Sequence, residues 1–166
     1  MSRGFVKEDD QEETPIVPER ADLPRGVINY VTQAGMEALL DEKDALIAEL
    51  SRLDKSNEKE YRISFNHINA KLRLLNSRIA EAKIVDQSRQ PKDEVRFGAW
   101  VTLRIDNKAE LQSYQIVGVD EANISKKKIS FVSPVAKVLL NKKVGDKAIL
   151  KLANGERVFE IVKIAY

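Results

Sequence analysis

The sequence has no cysteine and one histidine, His67. The first absence excludes disulfides and thiolate metal sites, and the second leaves no histidine pair for ligating a metal or for acid/base work. His67 stands beside an apolar seam position and reads as an exposed helix residue. Glycine is scarce, at seven residues, and neither a glycine-rich phosphate loop nor a nucleophile elbow occurs. No apolar run approaches the roughly 18 residues that span a bilayer, and residues 1–10 lack the apolar block of a secretory signal. The expectation is a cytoplasmic protein with no active site of its own, no stably bound metal or cofactor and no membrane contact.

Periodicity is what the chain has in abundance. Apolar residues at Tyr61, Phe65, Ile68, Leu72, Leu75, Ile79 and Ala82 alternate steps of four and three, the seam spacing of a coiled coil. Met36, Leu39, Lys43, Leu46, Leu50 and Leu53 answer in steps of three and four. One turn near Asn57 and Glu58 pairs Leu53 with Tyr61, Leu50 with Phe65, Leu46 with Ile68, Lys43 with Leu72, Leu39 with Leu75 and Met36 with Ile79. Charge agrees: Gln33 to Asp54 carries six acids against two bases, and Tyr61 to Val85 five bases against one acid. Residues 25–85 are therefore expected to hold an antiparallel coiled-coil hairpin. Its seam is satisfied within one chain, which favours a monomer, although a dimerisation or spacer element has the same pattern.

Residues 1–24, with seven acids, three bases and three prolines, read as a flexible acidic tail. Arg25 to Val31 is suited to packing on the hairpin's base, and Thr32 is placed to cap the first helix. At the turn, Asp54, Glu58 and Glu60 are either oxygen ligands for a divalent ion or a solvated polar loop. Residues 86–94 lack periodicity, contain Pro91 and read as a linker. Residues 95–166 then change to period two: strands are expected over Phe97–Ile105, Leu111–Val119, Ile129–Val132, Lys147–Leu152 and Arg157–Tyr166. Ser133-Pro134 opens a short helix that would bury Val135, Val138 and Leu139. The class is α+β, a helical hairpin followed by a small, largely antiparallel sheet with one short helix. This last part carries thirteen bases against seven acids, an excess that suits an acidic partner.

In the C-terminal part the chain carries, in this order, Phe97-Gly98-Ala99, Ile116-Val117-Gly118, Asp120-Glu121-Ala122, Ser133-Pro134, Ala136-Lys137, Gly145-Asp146 and Gly155-Glu156. Toward the N-terminus it carries Lys7-Glu8-Asp9-Asp10, Leu23-Pro24-Arg25-Gly26-Val27, Asn29-Tyr30, Val31-Thr32 and Gly35. In order and spacing these runs resemble the bacterial transcript cleavage factors of the GreA/GreB family, and GreB in particular. The resemblance implies an FKBP-like C-terminal domain on the rim of the RNA polymerase secondary channel, with the coiled coil inserted toward the nascent RNA 3′ end. It carries over Asp120, Glu121, Ala122, Ser133, Pro134 and Lys137 as polymerase contacts. Tip acids in such factors help hold a magnesium ion of the polymerase, so Asp54, Glu58 and Glu60 are the candidates here, and hydrolysis would belong to the polymerase.

The tip departs from the family pattern Gly-Asp-x-x-Glu-Asn-Ala-(Asp/Glu)-Tyr. Leu53 stands at the glycine, Asn57 at the first glutamate, and Glu58 comes one place later. The hairpin also falls roughly 15 residues short of the pattern, which at about 1.5 Å per residue removes about 10 Å of projection. A cleavage-stimulating factor and a non-cleaving channel regulator that competes with Gre factors both remain open. So does a direct nucleic-acid grip by the lysines at 126–128 and 142–143, while prolyl isomerisation would rest on fold analogy alone.

Overall fold

The computed structural model describes residues 14–166. The acidic run Lys7 to Asp10 and the rest of residues 1–13 lie outside the described residues. A three-residue strand, β1 (Asn29–Val31), leads through Thr32 into α1 (Gln33–Ser51), and α2 (Glu58–Glu81) doubles back to end in a second short strand, β2 (Ala82–Ile84). Thr32 caps α1 as expected, its hydroxyl accepting from the Gly35 N–H at 2.9 Å. The helices bury Leu39, Leu46, Ile68 and Leu75 between them, with Met36, Leu50, Leu53, Leu72 and Ile79 packed around. All of these are residues that periodicity assigns to the seam.

Two expectations for the helix pair need correction. The spacing puts Phe65 on the seam, but it is 37% exposed and packs on Tyr61, ring centroids 5.7 Å apart; the fully buried residues of the pair lie nearer its base. The second helix stops before Val85. Its last residues give way to β2, which pairs in parallel with β1, Asn29 opposite Ala82 and Val31 opposite Ile84. Buried Asn29 explains the stop, because its side-chain amide donates to the Arg78 carbonyl at 3.1 Å and takes up one of the acceptors that a helix leaves free at its end.

The C-terminal part is a five-stranded sheet of β3 (Trp100–Ile105), β4 (Leu111–Val117), β5 (Lys128–Ser130), β6 (Lys147–Leu152) and β7 (Gly155–Ala165), with a helix, α3 (Pro134–Leu139), after β5. Strand order is β5-β4-β3-β7-β6; β4 and β5 run parallel and the other pairs antiparallel. Alternation decides what is buried: Val101 and Leu103 are fully enclosed, while Trp100 is 38% exposed. Asp106 and Asn107, both at positive φ (51° and 58°), make the expected turn from β3 to β4. Ser133 caps α3, accepting from the Ala136 N–H at 3.2 Å. That helix buries Ala136 and Leu139, whereas Val135 and Val138 are half-buried at its flanks. Residues 86–94 include a 3-10 turn at Gln87–Arg89, and the Tyr166 hydroxyl ties the C-terminus back by donating to the Glu94 carbonyl at 2.8 Å.

Helix pair and sheet meet at β1. Tyr30 packs on Phe97 and Phe131, with centroids 6.0 and 5.9 Å away. Gly118 leaves room for this approach, since a Cβ there would stand 2.7 Å from the Tyr30 carbonyl oxygen. Gly118→Ala is expected to cost about 1–3 kcal/mol by forcing the backbones apart, read as a fall in melting temperature; an unchanged temperature would show that the contact yields without strain.

Candidate functional site

Three places hold the residues singled out by sequence. At the tip, Asp54 is fully exposed and bound to Ser56: Oδ1 accepts from the Ser56 N–H and Oδ2 from its hydroxyl, each at 2.8 Å. The Ser56 backbone N–H first, and then the hydroxyl, hold the Asp54 carboxyl below the usual carboxylate range. Asn57 is the N-cap of α2, its side-chain oxygen accepting from the Glu60 N–H at 3.2 Å. Glu58 and Glu60 follow in the first turn, exposed, where the helix dipole favours acids. Asn57 and Glu60 have capping-box spacing, a signal that local sequence offered and that marks Asn57 as a helix starter. Among the described residues no group of three or more His, Asp or Glu side chains is arranged to hold a metal ion.

At the joint, Asp120 and Glu121 face inward, each 9% exposed at the side chain. Oε2 of Glu121 accepts from the Thr32 hydroxyl at 2.5 Å and Oε1 from Lys128 Nζ at 2.8 Å. The Thr32 hydroxyl thus caps α1 and ties that helix to the sheet at once. Gly35 leaves space for the carboxylate, since a Cβ there would come within 2.7 Å of Glu121 Oε2. Asp120 lies between two guanidinium groups: Arg20 Nε donates to Oδ1 at 3.0 Å, and Arg78 Nε stands 3.2 Å from Oδ2. Arg20 also forks onto Glu42 of α1, at 2.8 and 3.0 Å. The Arg20 hydrogen bond is the main cause holding the Glu42 carboxyl below its usual range, and Glu42 in turn raises the Arg20 guanidinium.

The expected tail therefore needs correction where it is described: Arg20 and Ala21 are pinned, the latter's carbonyl accepting from Arg78 at 2.5 Å. Arg20, Glu42 and Arg78 were not singled out by sequence. A lone arginine among acids was the only local signal, and its partners lie on other elements.

The third place is the start of α3. Pro134 and Lys137 are exposed, as is Ala122 beside the joint, while Ser133 is half-buried by its capping role. His67 is half-buried rather than exposed. Of the lysine clusters, Lys128 is committed to Glu121 and Lys143 to Asp93 at 2.9 Å, and Lys127 lies over the Tyr114 ring at 5.3 Å. Among the described residues, no helix is long and apolar enough to cross a membrane.

The family described as "Transcription elongation factor, GreA/GreB, C-term" matches residues 90–166. Transcription elongation factor GreB of Haemophilus ducreyi is 35% identical over 153 residues, covering 83% of this chain and 94% of that protein. Transcription elongation factor GreA of Hyphomonas neptunium is 34% identical over 132 residues, covering 75% and 84%. Among solved structures, GreA factor homolog 1 (Gfh1) of Thermus thermophilus is similar at 26% identity, covering 82% of this chain and 98% of that one with a TM-score of 0.38. The chain belongs to the GreA/GreB family of bacterial transcription elongation factors, on its GreB-like side.

Proposed function

We propose that this protein docks on RNA polymerase and occupies its secondary channel as a regulator of elongation, without itself delivering the metal ligands for transcript cleavage. In this reading the helix pair is the coiled-coil hairpin that enters the channel, and the C-terminal sheet is an FKBP-like module seated on the rim. The observation that carries it is the tip. Asp54 is drawn onto Ser56, accepting one hydrogen bond at each oxygen, and the place of the family's first glutamate is held by Asn57, whose side chain starts a helix. The next carboxylate comes one residue on, at Glu58, the first helical residue after the extended Asn57 cap, and is redirected by that shift. Magnesium is held at roughly 2.0–2.1 Å, so a ligand misdirected in this way and about 10 Å short is not delivered to the ion.

Docking falls to side chains that are free to meet a partner. Pro134, Lys137 and Ala122 are exposed, whereas Asp120 and Glu121 are engaged within the chain. Direct nucleic-acid binding is less supported, because three of its lysines already have internal partners. A monomer fits a seam closed within one chain, and cytoplasmic placement follows from the partner.

Cleavage in backtracked elongation complexes tests the proposal. Added alone, the protein is expected to leave the RNA uncut; added with a GreB of full coil length, it is expected to suppress that factor's cleavage. Shortened RNA from this protein alone, lost in Asp54→Ala, would make it a cleavage factor. No effect in either arm would remove the channel reading.

A further inference from the structure

Residues 18–23 form neither helix nor strand, yet Arg20 is among the better-enclosed cations of the chain, 18% exposed at the side chain. Carboxylates of both structural units hold it: Glu42 on α1 takes both terminal nitrogens, and Asp120 after β4 takes Nε. Arg78 of α2 closes the ring, contacting the other oxygen of Asp120 and donating to the backbone of the same strap at Ala21. Four side chains and one carbonyl thus link α1, α2, the strap and the sheet. The fork is specific to arginine, since a lysine ammonium cannot meet three oxygens in one plane.

Placement along the helix gives the ring its consequence. Thr32 and Glu121 join the units at the first turn of α1. Tyr30, two residues earlier, packs on Phe97 and Phe131, so these attachments gather at one end of the helix and leave it a pivot. Glu42 lies ten residues further along, about 15 Å at 1.5 Å per residue, and a second attachment at that distance opposes tilting. The lever is long: a tilt of about 20° at the base moves the end of a helix of about 28 Å by about 10 Å.

We propose that Arg20 is a positioning residue, and that the strap it anchors fixes the direction in which the helix pair projects from the C-terminal sheet. The attachment is polar and lies outside both apolar clusters. Aim is therefore set by a polar contact and not by the packing of either apolar core.

The absence of cysteine makes the test clean. Arg52→Cys near the tip and Lys147→Cys on β6, both exposed positions, carry spin labels whose separation is measured by pulsed electron resonance on the isolated full chain. With Arg20 present a single narrow distribution is expected. Arg20→Ala shifts or widens it by about 5 Å or more, as the lever requires. Glu42→Ala reproduces this change from the other side, and Arg20→Lys restores it only in part. Helical circular dichroism stays unchanged throughout. An unaltered distribution in Arg20→Ala and Glu42→Ala overturns the proposal. Loss of helix in Arg20→Ala also overturns it, because the residue would then be a general stabiliser. No polymerase is present, so these outcomes are independent of the docking reading.

Discussion

Leu75→Ala is expected to destabilise the helix pair by about 2–5 kcal/mol, the range for a leucine truncated in a packed interior, while the C-terminal sheet keeps its amide protection. Leu75 is fully enclosed, in a cluster whose other buried members are Val31, Leu39, Leu46 and Ile68. No residue of that cluster belongs to the sheet's core of Val101, Leu103, Ile116, Leu139, Phe159 and Ile161. A small cluster has little to spare, since whole domains are stable by only about 5–15 kcal/mol. Hydrogen exchange should show faster opening through α1 and α2 and unchanged exchange in β3, β4 and β7. Equal loss in both regions would mean that the units melt as one, with the joint and not the seam setting cooperativity.

Asp120→Ala carries the second large effect, because it separates two roles for one residue. Family resemblance nominates Asp120 for polymerase, yet its carboxylate is enclosed between Arg20 and Arg78. Removing one partner of a buried ion pair costs about 3–5 kcal/mol. Since the two guanidinium groups keep 18% and 12% exposure, about 2–3 kcal/mol is the expected loss here, seen as a lower melting temperature of the isolated protein. Lys137→Ala is the contrasting variant: exposed on α3, it should shift stability by no more than about 0.5 kcal/mol while weakening polymerase binding. If Asp120→Ala instead melts normally and binds polymerase poorly, the carboxylate is a rim contact and the joint does without it.

Asp120 also shows where local reading stops. Sequence alone marked the residue, through a short run with family spacing, and nothing within ten positions distinguishes a free carboxylate from an enclosed one. Its partners lie on the strap and on α2, Arg20 being 100 positions away. Glu121 and Thr32 are 89 positions apart. At the tip the balance is reversed, since Asn57 and Glu60 meet within one turn, so the departure from the family pattern could be read from residues and explained by a cap.

What the sequence by itself determined is what forms within a few residues: both long helices from the heptad seam, the caps at Thr32 and Ser133, the turn at Asp106 and Asn107, and the strands from alternation. These follow from side-chain period and backbone preference, which act locally. Tertiary structure alone decided that residues 82–84 leave the helix to pair with β1, that Phe65 stays outside the seam, and that Arg20 and Asp120 close the joint. Each of these depends on a backbone or charged partner that becomes a neighbour only when distant segments meet, and on burial that exists only after they have met.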